Sequence, residues 1–284
     1  MQQTNPKPRS ANLLSADERE YSRFFEVLFE KSGYDFRNYS PAYLKRRIER
    51  RCLLAGIRDL EDFAVRVLHE EEFFEVFLSD LSICVTELFR TPAFFSELRL
   101  RVIPYLATHP QIRVWTAGCA TGEEAYSLAI LLHEEGLADR AVIYATDISC
   151  KALRTAREGA FASRNESAYR SNYEQSGGKA KFSDYFTPGK EFATFHSFLR
   201  QKIVFSEHNL ATDASFGEMH MILCRNVLIY FDLNLHTRVF KLFSDSLYRQ
   251  GFLGIGERET ISPLANAHLF EPFDSKHGIF RKAR

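Results

Sequence analysis

Residues 112–147 read IRVWTAGCATGEEAYSLAILLHEEGLADRAVIYATD, and this stretch decides the fold. It opens with a short apolar run, Ile112 to Thr116, and passes through a turn of small residues, Ala117 to Gly122. Glu123 and Glu124 follow in what the pattern predicts to be the first turn of a helix, where carboxylates suit the dipole. Ala125, Leu128, Ala129, Leu131 and Leu132 recur at helical spacing before a turn at Gly136. A second apolar run, Ala141 to Ala145, ends in Thr146-Asp147. Strand, glycine turn, helix, strand and terminal acid make half of a nucleotide-binding unit. Small residues let backbone approach a ligand, and an acid at the tip of the second strand can accept from two ribose hydroxyls.

The glycine spacing discriminates between nucleotides. A dinucleotide fingerprint reads G-x-G-x-x-G, with helix N–H groups aimed at a pyrophosphate. Here Gly118 and Gly122 are four residues apart, and two glutamates follow the second. Carboxylates at that helix start repel a pyrophosphate and attract a cationic ligand bearing a ribose. S-adenosylmethionine (AdoMet), with an ammonium, a sulfonium and an adenosine, is such a ligand. A nicotinamide oxidoreductase shares the half-site but requires the third glycine, which disfavours it.

Composition narrows the class further. A chain of 284 residues can hold a large core and more than one unit. Lys and Arg together number 37, as do Asp and Glu, so no global field favours nucleic acid or a membrane. Any electrostatic partner must be met locally. The five cysteines, Cys52, Cys84, Cys119, Cys150 and Cys224, are scattered and form no C-x-x-C. Neither a disulfide framework nor a metal site is indicated, and a reducing cytoplasm fits. The polar start MQQTNPKPRSANLLSADERE lacks a signal-type apolar core, and no run approaches about 18 apolar residues, so neither secretion nor a spanning segment is expected.

Residues 1–15 read as a disordered lead-in, and 16–85 as a helical domain with no strand signal. Ser15 can cap a helix carrying Tyr21, Phe24, Phe25, Leu28 and Phe29 on one face, which Gly33 stops. Ser40-Pro41 opens the next, PAYLKRRIERRCLLAG, with Leu44, Ile48 and Cys52 as its apolar stripe. Lys45, Arg46, Arg47, Arg50 and Arg51 stand there against Glu49 alone, a local positive excess in a neutral chain. Such a face is either merely solvated or a docking surface for an acidic partner. Further helices start at Asp59 and Glu72.

Residues 86–284 form the second domain. Its entry, SICVTELFRTPAFF (82–95), sets Thr86 and Arg90 at i and i+4, which predicts one helical face for both. An arginine among apolar residues is either an ion-paired scaffold residue or a clamp for a ligand carboxylate. Beyond Asp147 the pattern predicts a helix over 149–158, a polar segment over 163–189 and a small β-insertion at about 180–200. A strand at 202–205 precedes Glu207-His208-Asn209-Leu210, and another at 219–223 runs into Cys224-Arg225-Asn226. A long helix from Asp232 to Arg249, a strand at 252–255 and a last strand near 278–281 complete the reading. The alternation implies an α/β domain, a mostly parallel sheet wrapped on both faces, with ligands at the carboxyl ends of the strands. The Gly118 turn, Asp147, Asn209 and Arg225-Asn226 all fall at such ends.

Taken in order, ELFRTPAFF, WTAGCATGEEAYSLA, YATDIS, HNL and CRNVLIYF, behind SPAYLKRRIERR, closely resemble the bacterial chemotaxis receptor methyltransferases of the CheR family. The resemblance runs from about Tyr21 to Phe280. It implies a small N-terminal helical domain followed by a Rossmann-like AdoMet-dependent methyltransferase domain with a small β-insertion. It also implies a cytoplasmic enzyme that methylates glutamate side chains on the cytoplasmic helical bundle of chemoreceptors, giving glutamate methyl esters and S-adenosylhomocysteine. The family's cofactor contacts carry over to Thr86, Arg90, Gly118, Glu123, Asp147, Asn209, Leu210, Cys224, Arg225 and Asn226. Tyr230 matches a tyrosine close to the methyl group, which makes it and Arg90 the catalytic candidates, and no metal is implied. Glu123 is favoured over Glu124 as the ligand-facing acid because it directly follows Gly122. Cys84 stands where many relatives have asparagine, so one polar cofactor contact is lost or replaced. Acidic receptor helices give the basic face a partner, with Arg46, Arg47, Arg50 and Arg51 as docking residues. The β-insertion matches the place where some relatives grip a receptor's C-terminal peptide.

A glutamate acceptor is already ionised at pH 7, its unperturbed pKa being about 4.3, so methyl transfer to it requires no general base. His208 accordingly reads as a packing or capping residue. Arg90 holds either the methionyl carboxylate or the incoming glutamate. Two other readings share these motifs: a non-catalytic AdoMet- or receptor-binding sensor or scaffold, and a methyltransferase for another protein or a small molecule.

Overall fold

A computed structural model of the chain describes residues 18–81, 86–261 and 266–283. The lead-in over 1–15, the Ser15 cap and Cys84 lie outside the described residues. The chain divides into two compact units, Met1–Leu81 and Ser82–Arg284.

The first unit is built on four helices, α1 (Glu18–Ser32), α2 (Pro41–Ala55), α3 (Leu60–His69) and α4 (Glu71–Leu81). Their apolar faces converge on aromatic rings. Phe63 meets Phe77 edge-on at 5.2 Å and Phe24 at 5.7 Å between centroids, an arrangement that suits the ring quadrupoles. Asp59 caps α3, its Oδ1 accepting the Asp62 amide at 2.8 Å. Ser40 makes no such side-chain bond at α2. Pro41 sets that start by itself, because its fixed φ suits the first helical position and its missing N–H would have had no partner there.

The second unit enters through a short helix, α5 (Pro92–Glu97), which passes by a π turn, Leu98–Val102, into α6 (Ile103–Leu106). Next come β1 (Ile112–Ala117), α7 (Glu123–Glu134), β2 (Ala141–Asp147) and α8 (Cys150–Glu158). An insertion follows, with β3 (Ala160–Ala162), α9 (Glu166–Gln175), β4 (Phe186–Thr187) and β5 (Phe192–Phe195), then α10 (Ser197–Arg200). The chain closes with β6 (Ile203–Glu207), β7 (Met219–Cys224), α11 (Leu233–Ser246), β8 (Leu247–Ile255), β9 (Phe270–Asp274) and β10 (Ile279–Lys282).

Seven strands form one sheet in the order β6-β2-β1-β7-β8-β10-β9. From β6 to β8 neighbouring strands are parallel, which requires crossover connections. By contrast β10 returns antiparallel between β8 and β9. Strand order reverses between β1 and β7, and at such a switch point an open α/β sheet leaves a crevice for a ligand at its carboxyl edge. Central strands are buried on both faces, as Val114 and Trp115 in β1 and Met221, Ile222 and Leu223 in β7 are, so they read as apolar runs rather than alternating ones.

Several elements depart from the expected reading. The insertion begins at Ala160 rather than near residue 180, because β3 pairs antiparallel with β5, which pairs with β4. The helix between them, α9, buries only Tyr169 and Tyr173, so its sequence shows little apolar period. The long helix stops at Ser246, since Leu247 is taken into the parallel ladder opposite Met219. Pro272 obscures β9 in the sequence; proline is tolerated there because β9 is the edge strand.

Candidate functional site

The glycine turn after β1 is folded over the end of β2. The amides of Gly118 and Cys119 both donate to the Thr146 carbonyl, at 2.8 and 2.9 Å. The Ala120 amide donates to Oδ2 of Asp147 at 2.8 Å, and the Ser149 amide to Oδ1 at 2.9 Å. Beneath the turn the buried Trp115 ring donates from Nε1 to Oγ1 of Thr146 at 2.8 Å. Gly118 is required on two counts: its φ is +74°, and a Cβ there would lie 2.5 Å from Cγ2 of Val227. Asp147 is buried and fixed by two amides. A carboxylate has about four acceptor positions, so this anchoring is compatible with receiving a pair of hydroxyls.

At the start of α7 the two glutamates part company. Oε2 of Glu123 accepts from the Thr121 hydroxyl at 2.7 Å, and burial pushes its carboxyl above the usual range. Glu124 is pushed up by burial as well, opposed by Arg225, whose Nη1 lies 3.0 Å from Oε2. The other arm of Arg225 donates to the Arg90 carbonyl at 3.0 Å, and its guanidinium sits 4.1 Å above the Phe94 ring. With its side chain 2% exposed, Arg225 joins three chain segments: α7, the exit of β7 and the 86–91 entry. Its guanidinium is thus engaged within the protein rather than at an open surface.

Thr86 and Arg90 do not share a helical face. Residues 86–91 form a turn-rich loop before α5, with Phe89 and Thr91 in the left-handed region, φ 51° and 62°. Pro92 disfavours a helical Thr91, and the buried Phe89 ring packs edge-on to Phe95 and Tyr173. The Phe89 amide donates to the Ser127 hydroxyl at 2.8 Å, and Nδ2 of Asn172 donates to the Leu88 carbonyl at 3.0 Å. The loop that presents Arg90 is therefore held from α7 and α9. Left-handed conformations at a β-branched and an aromatic residue are costly and tend to gather at functional sites.

At the exit of β6, Oδ1 of Asn209 accepts the Ala211 amide at 2.9 Å, while the Asn209 amide donates to Asp213 at 2.9 Å. Leu210 is buried beside it. His208 packs between Trp115 and Phe216, at 5.1 and 5.4 Å, and bonds from Nε2 to the Ala214 carbonyl. At the exit of β7, Cys224 is wholly enclosed and burial pushes its thiol well up. Asn226 has φ 62°, and Tyr230 lies half-buried in the 3₁₀ turn Leu228–Tyr230.

Sequence reading did not single out Glu259. This buried acid, just after β8, accepts the amides of Gly256 at 2.6 Å and Asn226 at 2.9 Å on Oε2, and that of Ile229 at 3.3 Å on Oε1. The available signal was an acid in GIGERE, directly beyond the carboxyl end of a core strand.

The Gly118 turn, Asp147, Glu123 and the Arg225–Tyr230 turn thus surround the carboxyl edge at the switch point. Small residues admit backbone approach, and a buried and a half-buried carboxylate, Asp147 and Glu123, favour a cation with hydroxyls, so the donor set fits AdoMet. Among the described residues one trio, Glu97, Asp274 and His277, brings metal-ligand atoms within 4.8 Å of one another, and none of it belongs to this cluster. No helix among the described residues is long and apolar enough to cross a membrane.

In the first unit, the basic helix α2 does not present its arginines equally. Arg46 and Arg50 are exposed, Arg51 is paired with Asp80, and Arg47 lies over the Tyr43 ring at 5.3 Å. The outward pair is Arg46 and Arg50.

A family model described as CheR methyltransferase, SAM binding domain, matches residues 84–279. A second, CheR methyltransferase, all-alpha domain, matches residues 19–82. A Pseudomonas putida protein named methyltransferase Cher3 is 43% identical over 263 residues, 91% of this chain and 94% of its own length. A Listeria innocua protein named chemotaxis protein methyltransferase is 30% identical over 246 residues, 86% of this chain and 91% of its own. Among solved structures, TrmN from Thermus thermophilus aligns over 66% of this chain and 49% of its own at TM-score 0.39 and 15% identity. Matched almost end to end by the two models, the chain belongs to the CheR methyltransferase family, and its second unit is the part that binds S-adenosylmethionine.

Proposed function

We propose that the protein is a cytoplasmic protein-glutamate O-methyltransferase that acts on the cytoplasmic helical bundle of chemoreceptors. The observation that carries this reading is the pairing of a cation-favouring cluster at the switch point, with Asp147 buried and Glu123 half-buried, with an exposed arginine pair on a separate helical unit. The name of the Listeria relative supports the receptor as substrate. When bound, AdoMet supplies a methyl on a positive sulfonium: a carboxylate oxygen bonds to that carbon, the C–S bond breaks, and its electron pair stays on sulfur as S-adenosylhomocysteine.

The residues of this chain then have distinct tasks. Asp147 accepts from the ribose hydroxyls and Glu123 attracts the ammonium. Asn209 and Leu210 line the adenine end, with backbone of Gly118, Cys224 and Asn226 close by. Thr86 and Arg90 reach the cofactor from the 86–91 loop, Arg90 holding the methionyl carboxylate or the incoming glutamate, and Tyr230 positions the methyl group. Orientation of the two reactants can itself contribute roughly 7–11 kcal/mol, and the acceptor needs no base. Arg46 and Arg50 align the acidic substrate. Incubation with methyl-labelled AdoMet and receptor-containing membranes tests the whole reading: label released as methanol by alkali is expected, whereas base-stable label would mean another acceptor.

A further inference from the structure

Glu259 touches three backbone amides that belong to two different strand exits. Gly256 follows β8, while Asn226 and Ile229 follow β7, so one carboxylate ties together the exits of two neighbouring strands on one side of the crevice. Nothing else can occupy that spot: a Cβ on Gly256 would lie 2.8 Å from Oε2 of Glu259 and 3.0 Å from Nδ2 of Asn226. Asn226, in the left-handed region at φ 62°, needs such an outside hold on its amide. The far side of the same turn is held by His236, whose Nε2 donates to the Leu228 carbonyl at 2.7 Å. These held residues are flanked by Arg225, tied to Glu124 and to the Arg90 carbonyl, and by Tyr230. A charged acceptor binds amides more tightly than a neutral one, and three converging on one buried carboxylate fix the turn from below.

We infer that Glu259 is a positioning residue for methyl transfer: it sets the 225–230 turn so that Tyr230 and, through Arg225, the Arg90 loop face the reacting carbon. This rests on the function proposed above. Glu259 makes its bonds to backbone, so its loss should lower turnover more than affinity.

The test compares wild type with E259Q in S-adenosylhomocysteine binding by calorimetry, receptor methylation and thermal melting. Glutamine keeps one oxygen but turns an NH₂ toward an amide that needs an acceptor. The expected result is a turnover about 10- to 100-fold lower, the scale on which small misplacements act, with product affinity reduced by a clearly smaller factor, since the held turn positions the reacting methyl as well as part of the cofactor. Turnover equal to wild type overturns the inference, as does a loss of affinity that matches the loss of turnover. A purely structural role would lower the melting temperature and leave turnover per folded molecule intact, which also overturns it. Should E259Q not fold, E259D, which keeps the charge and draws the oxygens back by one methylene, is expected to show the same split. A wild-type protein that binds no S-adenosylhomocysteine would instead defeat the parent reading, a distinct outcome.

Discussion

Nη1 of Arg225 lies 3.0 Å from Oε2 of Glu124, and this pair ties the exit of β7 to the first turn of α7. It explains why two adjacent glutamates have different prospects. Glu124 is committed inside the protein, whereas Glu123 meets a threonine hydroxyl and burial alone dominates its carboxyl.

Removing one member of that pair should be severe. E124A leaves a guanidinium in a site that water barely reaches, and breaking such a pair costs about 3–5 kcal/mol. The double variant E124L/R225M should recover most of the melting temperature, because apolar replacement of a buried pair is often neutral, yet it should not recover product binding. Full binding by the double variant would show that the pair is irrelevant to the cleft.

Gly118 offers a second test. G118A places alanine in the left-handed region at about 1–2 kcal/mol and also drives its Cβ into Val227. Stability and AdoMet affinity should both fall. G118A/V227A removes the collision but not the backbone strain, so it should regain part of each. Melting curves and calorimetry on the two variants decide it.

Affinity for the cofactor should rise with pH. Burial raises the Glu123 carboxyl above its ordinary value, so in the window between the two the ligand-free protein holds a proton that the ligand's ammonium must displace. Binding of S-adenosylhomocysteine should tighten as pH climbs through this window and then level off, while E123Q shows no such slope. Folding stability from this group runs the other way. The native state binds more protons than the unfolded one there, so its contribution falls as pH rises. Calorimetry from pH 5 to 7.5 that shows weakening would refute the assignment of Glu123 to the ammonium.

Charge reversal on α2 should affect receptors alone. R46E/R50E is expected to abolish methylation of receptor membranes at low salt while S-adenosylhomocysteine binding stays at the wild-type value. Wild-type methylation should itself decline with added salt, as exposed charges are screened over about 10 Å at 0.1 M. R51A, by contrast, should lower stability through the loss of the Asp80 partner. Intact methylation by R46E/R50E would remove α2 from substrate docking.

Much of this architecture can be read in the chain because its periods are strong. The buried runs of β1, β2 and β7 and the small residues of the 118–122 turn announce strand ends, and the Gly118 turn, Asp147, Asn209 and Arg225 do lie at the carboxyl ends of neighbouring strands. Non-local pairing hides the rest. Leu247 continues the apolar spacing of α11 through Phe243, and only the ladder partner Met219 makes it strand. Thr86 and Arg90 have helical spacing, but Phe89 and Thr91 turn the chain to bury the phenylalanine. Glu259 bonds to amides some 30 residues away in sequence, which no local pattern encodes.

The last strand of the sheet has consequences for how the protein matures. β9 precedes β10 in the chain but lies outside it in the sheet, so β9 joins the sheet only through β10, which pairs with β8. Until it does, β9 has no ladder and β8 exposes unsatisfied backbone along one side, an invitation to aggregate. Chains truncated before Ile279 should therefore be collapsed yet sticky, with competence for methyl transfer absent until β10 is added.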